Sequence, residues 1–231
     1  MQLILEGLRR AIKLILALDP DLLDAAWRTL WISGTATLIS LLLGVPAGVA
    51  LALSRFRGRT VAVTLLNTGM GLPPVVVGLF VMILLWRSGP LGSLGLLYTP
   101  AAMALAQTLI ALPLVAGVSL AAVQALPRRL RLQVEALGAT RLQTAWLLGR
   151  EARLPLLAAV MAGFGAVVSE VGASLMVGGN LRGSTRVLTT AIVLEAGKGN
   201  FAGAIALGLI LLALACVINA VLTRLQQRGG G

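Results

Sequence analysis

Side chains that commonly do chemistry are scarce in these 231 residues: there is no histidine, one cysteine (Cys216), and eight Asp and Glu against nineteen Lys and Arg. Without histidine there is no His-type zinc site, no His-ligated haem and no imidazole acid–base chemistry, and a lone thiol has no intrachain disulfide partner. Lys198 sits in Gly-Lys-Gly rather than G-x-x-x-x-G-K-[ST], so no loop cradles a nucleotide phosphate. These residues point away from catalysis and towards the recognition of charge. Arg182, Arg186 and Lys198 face a single carboxylate, Glu195, in the segment 179–201, among the hydroxyls of Ser184, Thr185, Thr189 and Thr190. Such a set could donate to the oxygens of an anion or meet an acidic rim on a soluble partner; the plainer alternative is a solvated loop. Glu170, next to Ser169, is the one carboxylate well inside an apolar run. A charge at that depth costs at least about 2.5 kcal/mol on insertion scales, so two explanations stand: it is protonated, or it pairs with Arg182 or Arg186.

The elements that must position these residues lie in a membrane. The chain is 58% hydrophobic and 12% charged, far from a soluble domain at roughly 25% charged. Five stretches approach the ~20 apolar residues that a crossing needs: about 29–53, 61–86, 101–126, 156–178 and 202–222. The expected fold is an all-α polytopic membrane protein. Its segments are an amino-terminal amphipathic stretch (1–24), a transmembrane domain (25–225) and a short tail (226–231). If the connection after the first span is inside, inside segments hold eleven Lys and Arg and outside loops four. That bias places the carboxyl terminus in the cytoplasm and, with five spans, the amino terminus outside. It also accounts for the net charge of +11 without nucleic acid. Residues 3–18 are interrupted by Glu6, Arg9, Arg10 and Lys13 and read as a helix lying in the bilayer interface; were they to enter it, the spans would number six. Pro46, Pro73 with Pro74, and Pro113 fall inside the first three spans, where they are expected to kink helices along a pathway that changes shape.

The inside connection 127–155 is long and basic, yet its apolar residues recur at helical spacing: Leu130, Val134 and Leu137, then Leu142, Ala145, Trp146 and Gly149. Gly138 divides the two runs and can take the positive φ of a helix-to-helix turn. A helix–turn–helix projecting from the inner face follows, shaped to dock a partner.

Glu135-Ala-Leu-Gly-Ala-Thr-Arg141, followed by Leu154-Pro155, resembles the coupling loop of ATP-binding-cassette importer permeases, whose helices fit a cleft on the ATPase subunit. The resemblance implies a type I importer permease fold, with Glu135, Ala136, Leu137, Gly138, Ala139 and Arg141 as coupling residues. Glu135 stands three residues before the glycine where the family pattern has six, nearly one helical turn away and on almost the same face. Leu72-Pro-Pro-Val-Val-Val-Gly-Leu79 is similar to a segment of oxyanion importer permeases. Ser169-Glu-Val-Gly-Ala, the run from Gly178 to Gly183 and Glu195-Ala-Gly-Lys-Gly199 most resemble the tungstate branch, with molybdate permeases sharing part of the pattern. The resemblance further implies a homodimer around a two-fold axis, an external substrate-binding protein, and ATP and magnesium on a separate ATPase, with no cofactor on this chain. An anion pathway disfavours a bare carboxylate, so Ser169, Glu170, Pro73 and Pro74 are expected at a gate or pathway wall, with Glu170 in a structural pair. Of another class, a secondary transporter or channel would need no ATPase, and a non-transporting membrane scaffold would use the loop only to dock a cytoplasmic partner.

Overall fold

The computed structural model describes residues 2–17 and 19–228, and its regular elements are all helical. In order they are α1 (Gln2–Leu16), α2 (Pro20–Leu53), α3 (Arg59–Met70), α4 (Pro74–Leu85), a 3₁₀ turn (Gly92–Leu94), α5 (Pro100–Gln124), α6 (Arg128–Ala136), α7 (Arg141–Glu151), α8 (Arg153–Val168), α9 (Gly172–Gly178), α10 (Leu188–Gly197) and α11 (Phe201–Arg228). Three helices, α2, α5 and α11, are each long and apolar enough to cross a membrane, and two bent pairs, α3 with α4 and α7 with α8, bring the number to as many as five. The tail expected from 226 is the last turn of α11 as far as Arg228; residues 229–231 and Leu18 lie outside the described residues.

The first span begins nine residues earlier than expected. Asp19 caps it, its Oδ1 accepting from the Leu22 N–H at 3.0 Å, and Pro20 opens the first turn, where a missing N–H costs nothing. The added turns carry the charged Asp21, Asp24 and Arg28, and Arg28 and Asp24 pair one turn apart at 2.8 Å, which extends the helix past its apolar part. The main seam of the bundle joins α2 to α5. There Gly44 and Gly48 bring the backbones together, and Ser40 donates to the Thr108 carbonyl at 3.2 Å. Ile32, Val81, Leu85, Met103, Val177 and Val187 close one core over α2, α4, α5 and α9.

The prolines behave differently from one another. Helices α2 and α5 run unbroken through Pro46 and Pro113. At Pro73 and Pro74 the second span does not kink but breaks, and α3 and α4 meet at 99°. Two adjacent residues without N–H donors, each pushing its predecessor out of the α region, cannot carry a helix through. The fourth expected span breaks as well, at Ser169–Val171, into α8 and α9. The outer loop is corrected too: within 179–201 lies the ten-residue helix α10, folded back along α11. Thr190 closes its first turn, accepting from the Val187 N–H at 3.1 Å. Helix α1 is a helix as expected and packs on α11 through Gly7, against Ile205, and buried Ala11. Leu3, Ile4, Leu8, Ile12 and Ile15 on it remain about half exposed.

One buried hydroxyl ties α2 to α10. Thr29 Oγ1 donates to the Ala25 carbonyl at 2.7 Å and accepts from the Leu188 N–H at 2.9 Å, with both residues buried. Thr29→Val keeps the shape and orphans that N–H, so a loss of about 1–3 kcal/mol is expected. Thr37→Val, which removes only a hydroxyl bonded to its own helix at Ser33, is expected to cost less. Thermal midpoints of the two variants decide; equal shifts would mean that the α2–α10 bond contributes nothing.

Candidate functional site: a docking turn, two broken helices and an outer clasp

The segment 127–155 forms the expected helix–turn–helix. Gly138 holds φ of +79°, and Thr140 then starts α7 with a capping box: its Oγ1 accepts from the Gln143 N–H while Gln143 Oε1 accepts from the Thr140 N–H at 2.8 Å. The pair is anchored by its inward residues. Val134, Thr144, Leu148 and Ala152 are buried, and Ala152 joins Val49 and Val123 in a small core. Opposite them the apolar residues are bare: Leu137 is 87%, Leu142 81% and Trp146 63% exposed, with Arg150 stacked over the Trp146 ring at 5.4 Å. The apolar stripe read from the sequence therefore divides in two. Val134 and, in part, Ala145 pack inward, and Leu137, Leu142 and Trp146 point away. Thr144 and Leu148, which hold α7 to the bundle, were missed, because spacing alone does not distinguish the packed face from the open one.

Five of the six candidate coupling residues meet at or near the turn. Leu137 and Gly138 form its tip, and Glu135, Ala139 and Arg141 line a cleft that opens toward the end of α2. Ala136 is the last residue of α6. Arg131 holds Glu135 at 2.8 Å and reaches the Leu53 carbonyl at 3.2 Å, fastening α6 to α2. Helix α7 passes into α8 through Ala152 with a bend of 74°.

The two helix breaks lie side by side. A Cβ on Gly78 would stand 2.5 Å from the Ala173 Cα, and Gly172 abuts Val75, so the first turns of α4 and α9 run together. Pro73 and Pro74 line a cavity of about 280 Å³ with Met70, Ile110, Leu114 and Ala166. Ser169, exposed at the end of α8, donates to the Gly165 carbonyl at 2.8 Å. Glu170 is 8% exposed and does not pair with Arg182 or Arg186, contrary to the expectation. Its Oε1 accepts from the Ala173 N–H at 2.7 Å, which satisfies an orphan donor at the start of α9, and its carbonyl accepts from Thr189 at 3.0 Å. An acceptor at that position is what the fold uses. Glu170→Gln is therefore expected to retain transport and stability, and Glu170→Ala to lose about 1–3 kcal/mol. A Gln variant as damaged as Ala would show that the charge itself is required.

The three outer cations are not gathered at one site. Arg182 pairs with Asp21 of α2, Arg186 donates to the Asn180 carbonyl at 3.4 Å, and Lys198 pairs with Glu195 at 3.1 Å. Beside Arg182, Arg28 donates to the carbonyls of Gly183 and Ser184, each at 2.7 Å. These contacts clasp the loop after α9 to the start of α2. The acidic partners Asp21 and Asp24 come from the amino-terminal segment, so a charge count confined to the loop overstated its excess. Glu195 is held below the ordinary carboxylate range by the Lys198 hydrogen bond first and the Asn200 bond next. Its contribution is present above the unfolded value near 4.3 and is lost as pH falls through the lower folded value, so it is intact at neutral pH.

Comparison with known proteins fits this arrangement. Residues 44–229 match the family described as binding-protein-dependent transport system inner membrane component. A probable anion ABC transporter permease protein of Haloferax volcanii is 47% identical over 208 residues, covering 88% of this chain and 90% of that one. The tungstate uptake system permease protein TupB of Peptoclostridium acidaminophilum is 39% identical over 98% of this chain and 100% of its own. TupB of Campylobacter jejuni is 32% identical over 97% and 94%. Among solved structures, a chain of the MetNI methionine ABC transporter in an inward-facing conformation superposes with a TM-score of 0.77 at 22% identity, covering 92% of this chain and 97% of that one. That likeness establishes the expected type I importer permease fold. A helix–turn–helix on a broken-helix bundle, a family match over most of the length and relatives at 47% and 39% identity lead to one assignment: the chain belongs to the inner-membrane components of binding-protein-dependent transport systems.

Proposed function

We propose that this chain is the membrane-spanning subunit of an ATP-driven importer of tungstate, working as a homodimer by alternating access. ATP and magnesium act on a separate ATPase docked at the α6–α7 turn, and a soluble binding protein delivers the oxyanion at the opposite face. The carboxyl-terminal end of α11 lies in the cytoplasm. The observation that carries this reading is the bare apolar tip Leu137, Leu142 and Trp146, on a helix pair whose other face is buried. Exposed apolar surface on a stiff mount is a docking surface.

The mechanism follows from what is rigid and what is broken. Closure of the ATPase displaces the turn, and α7 passes the displacement to α8 across the single residue Ala152. At its far end α8 meets the Ser169–Val171 break, where α9 lies against α4 and the Pro73–Pro74 break. Rigid α2 and α5 form the frame against which these short helices shift, opening the pathway to one side or the other. Glu170 keeps the start of α9 ordered through the shift, its carboxylate accepting from the Ala173 N–H. Arg182, in the outer clasp, and Arg186 and Lys198, each held locally, face the binding protein.

Molybdate is the second reading, because a probable molybdenum ABC transporter permease protein of Haloferax volcanii is 33% identical over 164 residues, or 67% of this chain. The two dianions are nearly alike in size and charge, so the choice between them rests on the binding protein. The test is the tungsten content of cells lacking this chain, grown in trace tungstate with and without excess molybdate. Tungsten uptake that returns with the wild-type gene and resists molybdate supports the proposal. Uptake independent of the chain sinks it, and equal competition by molybdate favours the second reading.

A further inference from the structure

A cleft of about 820 Å³ opens where α2 ends, between residues 53–56 and the α6–α7 pair. Arg55, Arg131 and Arg141 line it, with Glu135 as its one carboxylate. That carboxylate is already engaged by Arg131 at 2.8 Å. Neither Arg55 nor Arg141 takes part in any ion pair among the described residues. The cleft therefore presents two uncompensated guanidiniums, beside the hydroxyls of Ser54 and Thr144. Part of its wall is apolar: Leu53 and half-exposed Phe56 flank Ser54 and Arg55 at the end of the spanning helix α2. The apolar run of α2 stops at Leu53, and Arg55, Arg57 and Arg59 follow, which sets the cleft at headgroup depth.

We propose that this cleft binds the phosphodiester headgroup of an anionic phospholipid from the adjoining leaflet. Guanidinium forks match the paired oxygens of a phosphodiester, the two hydroxyls can donate to its remaining oxygens, and the apolar wall receives the start of the acyl chains. A free inorganic anion would match the charges but leave that wall wet. The headgroup bridges Arg55, on the link from α2 to α3, and Arg141, the first residue of α7. It thereby stiffens the mount of the docking turn, and the anionic lipid content of the membrane sets how firmly the turn is held.

The test is native mass spectrometry of the full chain, equilibrated with phosphatidylcholine alone or mixed with phosphatidylglycerol. Wild type is expected to retain phosphatidylglycerol in preference, and Arg55→Gln and Arg141→Gln to lower retention by about fivefold each. Arg57→Gln with Arg128→Gln, which removes two exposed arginines that do not line the cleft, is expected to retain the lipid, and excess inorganic phosphate is not expected to displace it. Equal retention by the cleft variants, or equal loss in the control pair, overturns the site. Displacement by phosphate overturns the lipid as its occupant. A last arm adds the ATPase subunit and rests on the function proposed above: lipid lost on its addition assigns the cleft to a protein contact instead. The lipid-binding arms stand without that reading, so the two can fail separately.

Discussion

Leu137→Glu is expected to release the ATPase subunit while leaving the permease folded. The side chain is 87% exposed at the tip of the turn, so the folded chain loses almost nothing when it is replaced. Its neighbour Gly138 keeps the positive φ on which the turn depends, and the capping box of Thr140 and Gln143 is untouched. With the ATPase docked at this tip as proposed, a carboxylate there arrives at the interface unpaired and must be stripped of water. Central apolar anchors of an interface cost about 2–4 kcal/mol when lost, and a buried unpaired charge adds to that. The expected weakening is therefore at least about thirtyfold, and uptake should fall with it. Trp146→Ala is the companion variant, since a large aromatic with Arg150 stacked on its ring has the features of such an anchor. The measurements are co-purification with the ATPase and the thermal midpoint of the permease alone. An intact complex for both variants would move the docking surface elsewhere; a lowered midpoint for Leu137→Glu would show that the tip is part of the fold.

The docking turn is legible in the sequence for a specific physical reason. A glycine between two short runs of helical period, set among arginines, leaves few arrangements other than helix–turn–helix, and the positive φ of Gly138 is the reason the glycine is there. The long apolar runs were legible for the same kind of reason, since composition alone separates a lipid-facing helix from a loop. Three features were not legible. Helix α10 is too short for a span, and its Thr-rich first turn reads like a loop until Thr190 is seen bonding the Val187 N–H. At the Ser169 break the Glu170 carbonyl is met by Thr189 of α10, and the alignment of the two breaks through Gly78 and Gly172 is a tertiary fact. The partners of Arg182 and Glu170 were misassigned because the nearest acid to Arg182 in space, Asp21, is 161 residues away in the chain, and the nearest donor to Glu170 is a backbone N–H.

Gly48→Val is expected to be the most damaging single substitution in the α2–α5 seam. A Cβ at Gly48 would press on the Ala116 carbonyl oxygen, stand 2.7 Å from the Ser119 Cβ and lie 2.9 Å from the Leu120 nitrogen. Two of these three obstacles are backbone atoms of α5, which no rotamer change can move. Gly44, one turn earlier, meets Val115 and the backbone of residues 112 and 116 in the same way, so Gly44-x-x-x-Gly48 is a strip along which two helices touch. Overpacking ordinarily costs about 1–3 kcal/mol, and here, with a β-branched side chain against backbone, at least the top of that range is expected. Gly34, on the same helix, has open space at its Cβ, so Gly34→Ala is expected to be neutral or to stabilise by up to about 1 kcal/mol through helix propensity. The contrast separates a packing requirement from a general need for glycine in α2. Size-exclusion profiles and thermal midpoints of the two variants measure it. A Gly48→Val permease that stays monodisperse with an unshifted midpoint would mean that α2 and α5 move apart freely, and the rigid frame against which α4 and α9 are proposed to shift would be lost.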